Sequence, residues 1–369
     1  MTHTRGVEIP TLEWRDEGPA IALLDQTRLP AKEAVVVCHD VPALVRAIRA
    51  LVVRGAPMLG LAGAFGVALA AYRGDDVAAA ADELAAARPT AVNLAWGAQR
   101  ALAAYQRTLR AGTSHPGSQR LPRDGALAEA RAIEAADHAA SDAMAAHGLG
   151  LVPAKARVLT HCNTGRLAAG GCGTAFAVIM AAHRAGRLRM LWVDETRPLL
   201  QGARLTAWEA RQAGMPYAVL PDAAAASLFA RREVDMVLVG ADRIAADASV
   251  ANKVGTYGLA VLAEHHHVPF VVVAPVSTID LNTADGGMIV VEQRASAEVN
   301  SFAGTPVTPD EGAVYNPAFD VTPPDLVSAI VTERGVAAPP SADSLRLVCT
   351  DNQRRSGPVA AALRGTMRS

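Results

Sequence analysis

Apolar and polar positions follow two different rhythms along this chain. From residue 41 to about 147 they recur at helical spacing, in VPALVRAIRALVVRG, GLAGAFGVALAAYRG, DDVAAAADELAAA, AVNLAWGAQRALAAYQRTL and an alanine-rich stretch from Gly125 to His147. Alanine, the strongest helix former, dominates several of these runs. Between the last two lies AGTSHPGSQRLPRDG, whose Gly, Pro, Ser and charge read as a mobile surface loop. Ahead of Val41, the pieces AIALLDQ and EAVVVC read as short strands.

From residue 157 the rhythm changes. Apolar runs of strand length, RVLTHC, RMLWVDE, PYAVLPD, DMVLVGAD and PFVVVAP, alternate with helical segments of crossover length. Continuous apolar strands separated by helices imply a parallel sheet covered on both faces, hence a doubly wound α/β domain. In such sheets ligands bind beyond the carboxyl ends of the strands, where loops and helix N-termini converge. The polar groups His161-Cys162-Asn163, Asp194-Glu195-Thr196-Arg197 and Gly240-Ala241-Asp242-Arg243 interrupt the runs at those ends.

Length and composition narrow the classes. At 369 residues the chain exceeds a usual single core, so two domains are expected. A formal net charge of -1 leaves no chain-wide footprint for nucleic acid or anionic lipid, so the expected partners are small molecules or other protein chains. MTHTRGVEIPTLEWRDE holds no apolar run of signal-peptide length, and no segment reads as about 20 uncharged apolar residues. The expected location is therefore cytoplasmic, with no membrane partner. Cys38, Cys162, Cys172 and Cys349 are too sparse for a disulfide scaffold and lack zinc-finger spacing. No GxGxxG follows the first strand of the α/β region and no GxxxxGK[ST] occurs anywhere, so the expectation is no cofactor and no metal.

Several residues can carry chemistry, each with a blander alternative. Cys162 stands at a strand end, followed by a glycine-bearing loop that feeds an apolar helix; a helix dipole there would favour its thiolate, yet most free cysteines are small buried apolar residues. Asp242 follows the apolar run MVLVG, where partial desolvation suits a carboxyl to proton exchange, or where it caps a helix or pairs with Arg243. Arg54, read as the end of a helix, precedes Gly-Ala-Pro and small residues that let a backbone approach a phosphate; the same features serve tight packing and a helix dipole. Asn252 and Lys253, read as the start of a further helix, suit a phosphate or hydroxyl group. His265-His266-His267 point in different directions on a helix and read as the end of the one preceding PFVVVAP.

The strings LLDQTRLP, RGAPMLGLAGAFGVALA, AVNLAWGAQR, LTHCNTGRLAAGGCGTA, VDETRPLLQGARLTAWE, VGADRIAADASVANKVGTYGLAVLA, APVSTIDL and VYNPAFDVTPPDLVSAIVTERG together resemble one family, the methylthioribose-1-phosphate isomerases. These are related to the regulatory subunits of a translation-initiation nucleotide-exchange factor. The resemblance runs from about Leu23 to Gly335. It implies a mainly helical N-terminal domain with a small antiparallel sheet (residues 1–150), a Rossmann-like doubly wound parallel-sheet catalytic domain (151–345), a tail (346–369) and a homodimer.

By the same resemblance the chain is an aldose–ketose isomerase converting 5-methylthioribose 1-phosphate to 5-methylthioribulose 1-phosphate in methionine salvage. The alternatives are a sibling acting on 5-deoxyribose 1-phosphate or ribose 1,5-bisphosphate, and a non-catalytic sugar-phosphate-binding regulatory relative. The family's catalytic cysteine and aspartate fall on Cys162 and Asp242. Its substrate-binding positions fall on Arg54, Gly55, Ala56, Arg100, Gln201, Asn252 and Lys253. The chain departs from the family pattern at Ala95, Gly97, Thr164 and Cys172, which bear on the shape of the pocket.

Overall fold

Three short strands open the fold: β1 (Leu12–Arg15), β2 (Ala20–Leu24) and β3 (Val35–Cys38), joined in that order as an antiparallel sheet. The computed structural model describes residues 9–350 except 89–90, 115–120, 303 and 310–311. Five helices follow: α1 (Val41–Arg49), α2 (Ala56–Arg73), α3 (Val77–Ala87), α4 (Val92–Ser114) and α5 (Pro122–Leu149). Their starts have local causes, since Asp40 accepts the Ala43 N–H at 2.7 Å and Asp76 accepts those of Ala78 and Ala79 at 3.0 Å. Of the loop expected over 111–125, residues 115–120 lie outside the described residues and both flanks are helical.

The chain divides into two compact units, one holding residues up to His138 together with Arg166–Gly170, the other Ala139–Gly165 with everything from Gly171 onward. In the first, Leu23, Leu44, Ile48, Phe65, Leu84 and Leu94 belong to one core. Helix α2 is apolar all round because neighbours cover it on every side. It is long and apolar enough to cross a bilayer, but 72% of that window is buried inside the fold, so its apolar character serves packing. Helix α4 crosses it at glycines: a Cβ built on Gly97 would strike the Gly60 carbonyl, and one on Gly63 would lie 2.5 Å from the Leu94 carbonyl oxygen.

The second unit runs β4 (Ala156–Thr160), α6 (Ala175–Arg184), β5 (Leu188–Asp194), a π-helical turn (Gly202–Thr206), α7 (Ala207–Gln212), β6 (Tyr217–Leu220), α8 (Ala225–Ala230) and β7 (Met236–Val239). It continues through β8 (Arg243–Ala245), β9 (Val250–Lys253), α9 (Thr256–His265), β10 (Phe270–Val273), β11 (Ile279–Asp280), α10 (Ala297–Asn300), β12 (Ser301–Phe302) and β13 (Thr305–Pro306). It ends with β14 (Phe319–Thr322), β15 (Ala329–Thr332), β16 (Gly335–Ala337) and α11 (Ala342–Thr350). The main sheet has seven strands in the order β16-β15-β10-β7-β4-β5-β6, parallel except for β16. Alternate residues feed two cores: Leu159, Val237, Val239 and Val272 on one face, Val158, Met236, Leu238 and Val271 on the other. Burial on both faces is why these strands read as unbroken apolar runs.

A four-stranded sheet, β11-β8-β9-β14, was not legible as apolar runs because its short strands carry polar residues, among them Arg243, Asn252, Lys253 and Asp320. The histidine triplet ends α9 as expected, with His266 stacked on Phe229 at 5.8 Å between centroids.

Candidate active site

The chain lays down β4, β5 and β6 outward in one direction, then returns to place β7 on the other side of β4. That reversal is a topological switch point, where ligands bind beyond the carboxyl ends of an open α/β sheet. Val158 pairs with Met236 and Leu159 with Val237, and the Thr160 hydroxyl donates to the Leu238 carbonyl at 2.7 Å. Continued along both strands, this register sets Cys162 level with Gly240, two residues before Asp242. A Cβ built on Gly240 would lie 2.9 Å from the Thr164 methyl, so the two loops touch. The backbone N–H of Asp242 donates to Ala251 on β9 at 2.9 Å. Cys162 and Asp242 thus stand in the loops that leave the two strands flanking the switch point, Cys162 two residues beyond the end of β4 at Thr160 and Asp242 three beyond the end of β7 at Val239.

Cys162 is buried and its backbone is left-handed, φ +63°. For a non-glycine residue that conformation costs roughly 1–2 kcal/mol, and it persists only where surroundings impose it. Its N–H donates to the Thr196 hydroxyl at 2.8 Å, and its carbonyl accepts from the Thr206 hydroxyl at 2.6 Å. Thr196 is itself left-handed at φ +65°, unusual for a β-branched side chain. Asp222 holds this turn from one side, its carboxylate accepting the N–H groups of Thr196 and Arg197 at 2.7 Å each, and the Thr196 carbonyl accepts the Leu200 N–H at 2.8 Å. Thr206 closes the π-helical turn, a geometry frequent at functional sites. Gly202 permits that turn, because a Cβ there would strike the Asp194 carbonyl. Asn163 donates to Glu209, and the carboxylate of Glu209 fills the space beside Gly165 that a side chain would need.

Beside Cys162 stands a buried ion pair. His161 Nδ1 meets Asp194 Oδ2 at 2.9 Å, and Nε2 donates to the Val254 carbonyl at 2.9 Å. Burial by itself pushes the imidazole down. The hydrogen bond and charge of Asp194, with Asp222 and the Val254 carbonyl, outweigh it and hold His161 above its ordinary value. Asp320 lies nearby, its carboxyl pushed up by burial and drawn back by the N–H groups of Gly255 and Tyr257 and by the charge of His161. One imidazole therefore sits among three carboxyl groups, and burial pushes the Asp194 carboxyl up while His161 draws it back. His161, Asp194 and Asp222 are the one group among the described residues whose spacing could hold a metal. Both ring nitrogens, Asp194 Oδ2 and both Asp222 oxygens are engaged with protein groups and brace the loop, while Asp194 Oδ1 accepts no hydrogen bond among the described residues.

The other expected residues fall into two places. Gln201, in the second unit, leads into the π-helical turn; it is buried, and its Oε1 accepts no hydrogen bond among the described residues. Asn252 and Lys253 end strand β9 and do not begin a helix, which corrects the sequence reading. Helix α9 starts only at Thr256, and Asp320 of β14 already binds N–H groups at its start. Asn252 donates to the Thr256 hydroxyl at 3.0 Å, and the Lys253 ammonium lies 5.6 Å from the Phe319 ring centroid.

In the first unit, Arg54 does not end a helix: α1 stops at Arg49, and Arg54 stands immediately before α2. A cation at that end opposes the helix dipole, so dipole complementation cannot explain it. Gly55 caps α2 at φ +95°, where a Cβ would collide with Ala168; Ala56 is the first helical residue, and the Met58 N–H donates to the Ala168 carbonyl at 3.1 Å. Arg100 lies on α4, ion-paired with Glu129 and stacked 5.0 Å over Trp96.

Thr196, Thr206 and the bracing role of His161–Asp194 escaped the sequence reading. The pair was visible as polar interruptions at strand ends. The threonines carry no pattern of their own, because they matter only through tertiary contacts. Thr164, a departure from the family pattern, accepts the Phe176 N–H at 3.1 Å and so caps α6 from a distance.

A doubly wound sheet with a cysteine and an aspartate in the loops that leave the two strands beside its switch point defines a Rossmann-like protein with its open loop end at the place where such sheets bind small molecules. The sequence profile described as "Initiation factor 2 subunit family" matches residues 52–339. The methylthioribose-1-phosphate isomerase of Pelotomaculum thermopropionicum is 48% identical over 347 residues, covering 92% of this chain and 93% of that one. Its counterpart from Anaeromyxobacter dehalogenans is 51% identical, covering 91% and 96%. Among solved structures, 5-methylthioribose 1-phosphate isomerase from Pyrococcus horikoshii superposes with a TM-score of 0.82 at 38% identity, covering 92% and 96%. The delta subunit of translation initiation factor eIF-2B from A. fulgidus gives 0.78 at 38%, covering 92% and 100%. The chain belongs to the initiation factor 2 subunit family, on its methylthioribose-1-phosphate isomerase branch.

Proposed function

We propose that this chain is an aldose–ketose isomerase that converts 5-methylthioribose 1-phosphate to 5-methylthioribulose 1-phosphate in methionine salvage, with Cys162 and Asp242 as its proton-handling pair. The observation that carries the reading is the placement of those two residues just beyond the ends of adjacent strands at the switch point, in a chain about half identical to such isomerases over nine-tenths of its length. The phosphate on the anomeric oxygen prevents the ring from opening as a free hemiacetal does. The ring oxygen must gain a proton as its bond to C1 breaks, hydrogen must pass from C2 to C1, and the C2 hydroxyl must give up its proton to become a carbonyl. Two acid–base groups facing adjacent carbons suit that sequence.

Arg54, beside Gly55 and Ala56 at the start of α2, offers a guanidinium suited to a phosphate, and Lys253, in the second unit, offers an ammonium suited to the same chemistry. Gln201, with its buried acceptor, and Asn252 take sugar hydroxyls. Arg100, with its partner Glu129, serves the phosphate side. The enzyme acts in the cytoplasm as a homodimer joined through the second unit, which exposes Val290 and Tyr315 at 76% and 83%.

Turnover of 5-methylthioribose 1-phosphate, 5-deoxyribose 1-phosphate and ribose 1,5-bisphosphate by the purified, EDTA-dialysed protein tests the reading. The first should give the highest kcat/KM without added metal. Preference for another sugar phosphate would move the assignment to that substrate, and no turnover of any would favour a binding protein.

A further inference from the structure

We propose, on the reading of Cys162 as a catalytic thiol, that Thr196 and Thr206 are positioning residues whose hydroxyls clamp the Cys162 peptide groups and thereby set the direction of its side chain. A left-handed backbone turns the Cα–Cβ bond away from where an extended strand end would carry it. At Cys162 that conformation is held from both sides, by the Thr196 oxygen on its N–H and the Thr206 hydroxyl on its carbonyl. Each clamp is fixed in turn. Thr196 donates to the Asp194 carbonyl at 3.1 Å, and its own N–H is held by Asp222. Thr206 is delivered by the π-helical turn that Gly202 makes possible, and the Asn163 amide also reaches it at 3.3 Å. Three elements, the ends of β4 and β5 and the π-turn, meet on one residue. A cysteine that only fills space is held by the packing of its neighbours and needs no hydroxyl on each of its peptide groups.

Thr206→Val and Thr196→Val keep shape and remove the hydroxyl, while Thr206→Ser and Thr196→Ser keep it. Each is assayed for kcat, KM, the pH dependence of kcat and melting temperature, beside Cys162→Ser. The valine variants should lose about tenfold or more in kcat with KM within about threefold, since small misplacements of a reacting group are costly. The pH profile should keep its wild-type shape, because the clamp aims the thiol and does not titrate, and the serine variants should recover most of the loss. Valine variants retaining more than about half of kcat, or serine variants as impaired as valine, overturn the proposal. If a valine variant does not melt cooperatively, alanine at that position takes its place under the same criteria. Loss of turnover in Cys162→Ser with active valine variants sinks the clamp alone. Turnover retained by Cys162→Ser sinks the reading of the thiol and the clamp with it.

Discussion

As the proposed proton-handling pair, Cys162 and Asp242 bring one exchangeable group each, a thiol and a carboxyl. Cys162→Ser offers a hydroxyl far less acidic than a thiol, and Asp242→Asn removes the titrating group while keeping shape. Each substitution should lower kcat by at least about a hundredfold, the lower range for losing a general acid or base, with little change in melting temperature. A packing cysteine and a structural aspartate would do the reverse, moving stability and sparing turnover. At the phosphate end, Arg54→Ala and Lys253→Ala should raise KM well before they disturb folding, because a charge-assisted contact with a ligand is local. Unchanged kinetics with a cooperative melt would remove both residues from the site. Lys253 also lies against Phe319, so its variant should show a small fall in melting temperature from that lost contact.

Among the elements, α6 shows how the loop after β4 is tied into the sheet. Its N-terminal donor at Phe176 is satisfied by Thr164, twelve residues upstream, and Thr164 also rests against Gly240. Thr164→Ala should therefore cost about 1 kcal/mol of stability, the usual value of a lost cap, while the enzyme stays active, since the hydroxyl is spent on the Phe176 N–H. Urea unfolding with an activity assay checks both halves; a loss of turnover without loss of stability would move Thr164 into the pocket. Gly97, another departure, acts in the contact between α2 and α4, where the Gly60 carbonyl occupies the space of a missing methyl. Its effect is on helix spacing in the first unit.

For the whole molecule, the buried His161–Asp194 pair links stability to pH. The imidazole's folded value lies above its ordinary value of about 6.5, so its contribution is present in full below that pH and is lost as pH rises through the raised value. Unfolding free energy should fall from neutral towards alkaline pH in the wild type. It should fall less steeply in His161→Gln, which also loses roughly 3–5 kcal/mol because Asp194 is left buried without its partner. Equal slopes in the two proteins would show that His161 does not hold the proton. Association is tested by light scattering: a dimer is expected at micromolar concentration, weakened by Tyr315→Asp and Val290→Asp together. A monomer in the wild type would contradict it.

Local pattern was enough to read the parallel strands β4, β5, β6, β7 and β10, though not β15, together with the helices α1 to α5 and the strand ends near which Cys162 and Asp242 stand, because burial on both faces of a sheet and helical periodicity leave their mark residue by residue. The match of whole motifs carried the reaction class further than any one residue could. The helix boundaries around Arg54 and Asn252–Lys253 were misread for a physical reason. Apolar residues such as Leu51, Val52 and Val53 continue the helical rhythm even where the backbone turns left-handed at Leu51, and the short strand β9 exists only because β8 and β14 pair with it. The same reason hid the clamp on Cys162. Thr196, Thr206, Asp222 and Gly202 act through hydrogen bonds and close approaches between segments distant in sequence, and only the folded chain brings those partners together.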